Sequence, residues 1–397
     1  MAGPLPILVV GGGIGGLAVA LALARVGFRV DLFERAAEFS IVGAGIQLGP
    51  NAVRVLADLD VAASLAPRAS SPTALAVYDG AGGRCLTRMP LGAGMAARCG
   101  APYWTVHRAD LHQALLTAAE RNPAISIRMN AALTTIDTSA RDSIDLTFAD
   151  GATAAGAALI GADGVWSRAR EVVAPDFVPA HSGYCAYRTV LPIERAGDLD
   201  AAVVGAWLSP CAHVVHYPVL AGRALNVVVI VREPWSGDQW NTPAEASAVM
   251  RAVAPFALGL RDALGLASEW HTWSLPQPVK LDHWHRGRIA LVGDAAHAML
   301  PFFAQGAAVA LEDATALAAA LVASPDDLVS AFEHYHARRF RRVARVQSAS
   351  VRNGRIFHLS GPLAIARNVV LQLTPAAILA TQFDWLYAYG RAETEAL

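Results

Sequence analysis

Gly11, Gly13 and Gly16 form a G-x-G-x-x-G pattern, and an acid, Glu34, lies about 20 residues further on. Each position answers a need of a bound dinucleotide. Gly11 permits a tight turn, Gly13 lets a pyrophosphate approach the backbone, and Gly16 lets a helix lie against a sheet. Ile14 inside the loop and Arg35 beside Glu34 belong to the same candidate site. The following helix offers its N-terminus to the phosphate charge, and Glu34 can accept hydrogen bonds from a ribose. A second constellation is His213, His216 and Tyr217. The H-x-x-H spacing invites a metal, but Val214, Val215 and Pro218 favour a strand, whose period of two sends positions 213 and 216 to opposite faces. No metal is therefore expected, whereas His213, Val215 and Tyr217 share one face.

These residues need elements to hold them. Residues 6–10 are an apolar run, the glycine turn follows, and an alanine- and leucine-rich helical pattern extends to Gly27. A second strand over 29–33 completes a strand–turn–helix–strand unit. Two further apolar runs, 157–163 and 288–294, end at Asp163 and Asp294, where the carboxyl ends of parallel strands meet a ligand. Between them, residues 181–279 alternate apolar and polar positions and read as an antiparallel sheet with intervening helices. The fold expected is α/β. A Rossmann-type dinucleotide domain of the glutathione-reductase kind spans 1–180 and 280–330, an antiparallel-sheet substrate domain (181–279) is inserted in it, and a helical region covers 331–397. The basic run at 336–347 reads as a solvated helix face. The apolar stretch from Gly361 is either a homodimer surface or a third packing layer on the same subunit.

Composition narrows the functions. The 397 residues are 54% hydrophobic and 16% charged, with 32 basic and 33 acidic side chains. A net charge of −1 gives no field for nucleic acid or an anionic membrane. Cys85, Cys99, Cys185 and Cys211 show no paired spacing, which fits a reducing, cytoplasmic setting. The apolar stretches 304–324 and 362–381 are interrupted by Glu312 and Asp313, and by Arg367 and Pro375, so neither reads as a membrane span.

Three segments occur in order: GGGIGG with Glu34, GADGVWSR at 161–168, and GDAAHAMLPFFAQGAAVALEDA from Gly293. Together they resemble the fingerprints of single-component FAD-dependent aromatic hydroxylases, the para-hydroxybenzoate hydroxylase family. The linker GAGIQLGPNAVRVL (43–56), HRADLHQALL (107–116) and HLSGPLAIARN (358–368) extend the likeness over nearly the whole chain. The nearest branch is that of salicylate and 3-hydroxybenzoate hydroxylases. The resemblance implies tight, non-covalent FAD, NAD(P)H and O2 as co-substrates, and hydroxylation of a phenolic acid through a C4a-hydroperoxyflavin. There is no second strand–GxGxxG–helix unit, so NAD(P)H would bind transiently between domains.

The same resemblance assigns roles. Arg108 would reach the FAD diphosphate or ribityl chain, unless it only forms a surface ion pair. Asp163 would bind FAD or cap the turn after it, and Asp294 would accept from ribitol hydroxyls. Gly306, Ala307 and Ala308 would open a helix whose N–H groups face the flavin pyrimidine, where a helix N-terminus steadies negative charge. His213 and Tyr217 would sit above the substrate ring, unless His213 is simply a satisfied core histidine. A histidine near its ordinary pKa of about 6.5 can take a phenolic proton, and a tyrosine hydroxyl can fix the substrate oxygen. Gln47, Pro301 and Phe302 would line the substrate. Gln47 agrees with the hydroxybenzoate branch, the hydroxynicotinate branch resembling it with histidines at 47 and 302. Pro301 stands where some 3-hydroxybenzoate 6-hydroxylases carry glutamine. Arg188 would either neutralise a substrate carboxylate or pair within the domain junction. The other functions open to such a chain are hydroxylation of an N-heteroaromatic such as hydroxynicotinate, flavin dehydrogenation or oxidation without oxygen insertion, and a redox-gated flavoprotein.

Overall fold

The strand Ile7–Val10 is buried along its whole length, as a strand covered on both faces must be. It lies at the centre of a six-stranded sheet. Val30–Phe33 and Ile125–Arg128 flank it on one side, Ala158–Gly161 and Ile289–Leu291 on the other, all parallel, with His285–Arg286 as an antiparallel edge. The computed structural model describes residues 5–39, 44–234 and 242–391. Gly11 has φ +103°, and a Cβ on Gly16 would lie 1.9 Å from the Gly11 carbonyl oxygen. Only glycine lets the helix Ile14–Arg25 start this close to the strand. Asp163 and Asp294 lie beyond the strands rather than on their last residues, Asp294 opening the short helix Asp294–His297.

The second sheet has eight strands, ordered Thr242–Ala244, Trp270–Pro276, His181–Pro192, Ala224–Arg232, Ala212–Val219, Val203–Leu208, Ala74–Asp79 and Cys85–Pro90. The last two come from the stretch assigned by sequence to the dinucleotide domain, so the boundary at 180 does not describe this sheet. Ala74–Asp79 runs parallel to Val203–Leu208 and turns back at Gly80–Gly83 into its hairpin partner. One face, bearing Cys185, Tyr187, Val214, Val227 and Val229, packs on the helices Ala246–Ala252 and Leu258–Gly265. The opposite face, bearing Ala186, Ile230 and Leu275, packs on Leu300 and Phe302, and Asn226 and Tyr217 on it meet Gly45.

Helix Gly306–Ala323 has the length and hydropathy of a membrane span, but 67% of that window is buried inside the protein, so it is a core helix. Against it lies Leu328–Phe357, where the solvated-face expectation fails for two of the arginines. Arg339 and Arg342 share the inward stripe with Phe332, Tyr335 and Val346. Glu312 and Asp313 receive them: Arg339 Nε donates to Asp313 at 2.8 Å, and Arg342 Nη2 to Glu312 at 3.0 Å. Two carboxylates and two guanidinium groups thus balance in the interior, which is the condition for burying them. The C-terminal region packs on its own subunit, with Phe332, Tyr335, Leu386 and Tyr387 in the main core. Helix Gly361–Leu373, however, leaves Leu363, Ile365, Val370 and Leu373 exposed.

Candidate active site

The glycine turn leaves room where a phosphate would need it. A Cβ on Gly13 would meet nothing within 4 Å, and the same holds for Gly306 at the start of the core helix. The first N–H groups of that helix, on Gly306, Ala307 and Ala308, have no acceptor within the helix and no side-chain cap. Ile14 is the first residue of the glycine-turn helix and is buried, while Arg35 is exposed. Glu34 accepts from Gly12 N at 2.8 Å and Ala36 N at 2.9 Å, one amide per carboxylate oxygen. Each oxygen keeps a lone pair for a ribose hydroxyl. Asp294 is walled by protein yet its side chain stays accessible, and burial raises its pKa against the charges of His297, Arg108 and Arg170. An acid set in a crevice with surface to spare suits a polyol. Open glycines, free helix N–H groups and a ribose acceptor fit an FAD molecule.

Asp163 does something more local. It accepts from Ser167 Oγ at 2.5 Å, Arg168 N at 2.7 Å and Ala169 N at 3.2 Å, and so caps the helix Arg168–Val173. Of the two roles left open for it, the structure displays the cap. Arg170, overlooked in the sequence, is buried and donates to Ala295 O at 3.0 Å and to Val165 O, tying this turn to the Asp294 loop. Arg108 begins the helix Arg108–Glu120 with an exposed side chain and makes no ion pair among the described residues. Its positive charge acts on both Asp294 and Arg188.

On the substrate side the register fixes which side chains meet. Arg188, Val228 and Val215 lie in one row across three strands, flanked by the His213–Ile230 row on one side and the Tyr217–Asn226 row on the other. All project from the face opposite the helices. His216 projects the other way, fully buried, accepting from Trp207 Nε1 at 3.1 Å and reaching Asp200 O at 3.2 Å. It is a satisfied core histidine. Burial holds its pKa at about 4.

Tyr217 is almost wholly buried, its hydroxyl beside Gln47 and Asn226, and its pKa is pushed up by burial. Gln47 in turn accepts from Tyr103 Oη at 2.7 Å, and Asn226 accepts from Gly45 N at 2.6 Å. Tyr103 and Asn226 carried no sequence signal, because Asn226 meets Tyr217 only through strand pairing and Tyr103 joins them through its bond to Gln47. Arg188 lies over Trp273 with its guanidinium 4.9 Å from the ring centroid, and its Nε is buried without a partner. Burial and Arg108 lower its pKa, and no carboxylate among the described residues pairs with it. The alternative of an ion pair in the domain junction is thus not what the structure contains.

His213 is on the expected face but not in the expected setting. It is 1% exposed, with Phe302 and Phe357 edge-on at 5.3 and 5.2 Å between ring centres. Its Nδ1 lies 2.9 Å from Nε2 of His358, the first residue of the family-like segment 358–368. Burial, with His358 adjacent, lowers the pKa of His213 to about 3, far from the ordinary value assumed from sequence. Phe302 backs His213 and packs against Gly354, while Pro301 is a half-buried start of the turn Pro301–Phe303.

With this geometry in view, comparison with known proteins is informative. Residues 5–350 match the family described as FAD binding domain. A 3-hydroxybenzoate 6-hydroxylase of Polaromonas naphthalenivorans is 35% identical over 395 residues, covering 97% of this chain and 96% of that protein. A 6-hydroxynicotinate 3-monooxygenase of Bordetella bronchiseptica is 37% identical over 355 residues, covering 88% and 91%. A salicylate hydroxylase solved as a substrate complex superposes with a TM-score of 0.81 at 27% identity, over 97% of this chain and 96% of that one. The open glycine turn, the ribose acceptor and the matched length agree: the chain belongs to the FAD-binding family of flavin-dependent aromatic monooxygenases.

Proposed function

We propose that this enzyme hydroxylates a phenolic aromatic acid of the hydroxybenzoate type, using NAD(P)H and O2, in the cytoplasm. Bound FAD supplies the store of reducing equivalents and the oxygen-activating chemistry. The observation that carries the substrate reading is Arg188, a partly buried guanidinium with an unpartnered Nε and no acid beside it among the described residues. Such a group binds a planar carboxylate strongly. Arg188 stands two strands from His213 and Tyr217, about 10 Å by normal strand spacing. Val215 and Val228 lie between as an apolar floor for the ring. A substrate held by its carboxylate at Arg188 would direct a ring hydroxyl toward Tyr217 and His213, and orientation decides which carbon reacts. Gly11, Gly13, Ile14, Gly16, Glu34, Arg35, Arg108, Asp294 and the Gly306–Ala308 turn would hold FAD, with Asp163 supporting them through its cap.

The test is substrate-stimulated NAD(P)H oxidation by the FAD-loaded enzyme across 2-, 3- and 4-hydroxybenzoates, their amino derivatives and 6-hydroxynicotinate, followed by product analysis under 18O2. Stimulation by one or more acids with label in the product is expected. Stimulation without label would reduce the activity to dehydrogenation or oxidation, and no stimulation by any acid would overturn the substrate reading.

A further inference from the structure

The chain holds a second histidine against His213, and its placement has a chemical consequence. Among the described residues His213 Nε2 has no hydrogen-bond partner, while Nδ1 is 2.9 Å from His358 Nε2. One ring must donate and the other accept. His213 is sealed from water, whereas His358 is partly exposed at the C-terminal end of helix Leu328–Phe357. His358 is also held in place. Its ring stacks on Tyr184 with centres 5.8 Å apart, and Arg367 locks the segment before it by donating to Ile356 O at 3.0 Å and Phe357 O at 2.8 Å.

We propose that His358 is the outlet of a two-histidine proton relay, carrying to solvent the proton that His213 takes from the substrate hydroxyl. This rests on the phenolic-acid reading above. The balance is simple. The substrate O–H bond breaks and its proton forms N–H at His213 Nε2. The Nδ1 proton of His213 passes to His358 Nε2, and the Nδ1 proton of His358 leaves to water. Phenolate stays in the site, both imidazoles end neutral, and one proton is released.

The surroundings favour this over a single base. An imidazolium at His213 would be buried among Phe302 and Phe357, with no carboxylate among the described residues to steady it. Among the described residues the charged groups facing the pair are Arg232 on the neighbouring strand and Arg367 on the following helix, both positive, together with the hydroxyl of Tyr184. Burial and these two arginines keep His358 neutral as well, with a pKa of about 4. Neither ring can retain the proton near neutrality, so it must pass through.

The experiment uses oxidised, FAD-loaded enzyme without NAD(P)H, mixed rapidly with an acid that stimulates the wild type. Phenolate absorbance and proton release to a pH dye are followed. His358→Phe keeps an aromatic ring against Tyr184 but carries no proton, and His358→Gln is a second, smaller variant. Both are expected to bind substrate with unchanged Kd at pH 9 and to form phenolate about tenfold or more slowly at pH 7, with added imidazole restoring the rate. Wild-type rates in both variants would overturn the relay. If no acid ionises on the wild type, the substrate reading fails by itself, and 15N spectra of the histidine rings decide the relay. Loss of the His213 Nδ1–H tautomer in His358→Phe supports it, and an unchanged tautomer overturns it.

Discussion

At the scale of single residues, Arg188 is the position where structure adds most to sequence. Its pattern on a strand could not distinguish a substrate ligand from an internal ion pair, because the outcome depends on what two neighbouring strands and the facing domain place beside it. The stack on Trp273 and the unpartnered Nε answer that question. A charged hydrogen bond to a carboxylate is worth about 1.5–3 kcal/mol, or roughly 10- to 100-fold in affinity. Arg188→Gln should raise KM for the accepted acid by that factor and lower kcat much less, because the carboxylate does not change in the reaction. A ring analogue lacking the carboxylate should bind wild type and variant alike. Equal KM values for the acid in both proteins would show that the carboxylate lies elsewhere. Glu34 is the opposite case, a residue legible from spacing alone. Glu34→Ala should purify largely free of yellow flavin, and full FAD occupancy would contradict its ribose role.

At the scale of elements, the glycine turn, its helix and the central strands follow from local pattern, and the structure reproduces them within a residue or two. Local pattern failed where a charge was satisfied from far away. The basic stretch in helix Leu328–Phe357 looked solvated because arginines usually are, yet Arg339 is 0% exposed. Its partners, Glu312 and Asp313, had seemed only to interrupt an apolar run. Asp313 also takes the Gly293 N–H at 3.0 Å and His297 Nε2 at 2.5 Å, and so braces the loop that presents Asp294. Its pKa is lowered, the charges of His297 and Arg339 outweighing the burial that would raise it. Asp313→Ala would leave Arg339 with one carboxylate and the loop amide with none. Breaking a buried pair in this way costs about 3–5 kcal/mol. Urea unfolding should show a loss of that size, with weaker FAD binding in the protein that remains folded. A variant as stable as wild type would mean that Glu312 alone balances both arginines.

At the scale of the whole molecule, the chain is interleaved rather than divided. The second sheet borrows strands 74–79 and 85–90, and the C-terminal tail returns to the first domain, where Arg54 donates to the carbonyls of Cys99, Tyr387 and Tyr389. No local pattern announces such returns, because they are long-range pairings. Long-range packing also seals histidines that an isolated strand would expose, His213 by Phe302, Phe357 and His358 and His216 by Trp207 and Asp200. His213 and His216 are held neutral in the folded protein, at about 3 and about 4, whereas both titrate near 6.5 when unfolded. Below pH 6.5 the unfolded chain therefore binds protons that the folded one refuses, and stability must fall as pH falls. By pH 5 each of the two buried rings costs on the order of 2 kcal/mol. Asp294, whose folded pKa is raised by burial, works in the opposite direction, gaining stability as it protonates. The net expectation is a Tm level above pH 7 that declines steadily between pH 6.5 and 5. Replacing His216 by asparagine should flatten part of that decline while lowering Tm at pH 8, since Trp207 would lose the acceptor it now has. A Tm that stayed level down to pH 5 in the wild type would mean that these rings meet water in solution.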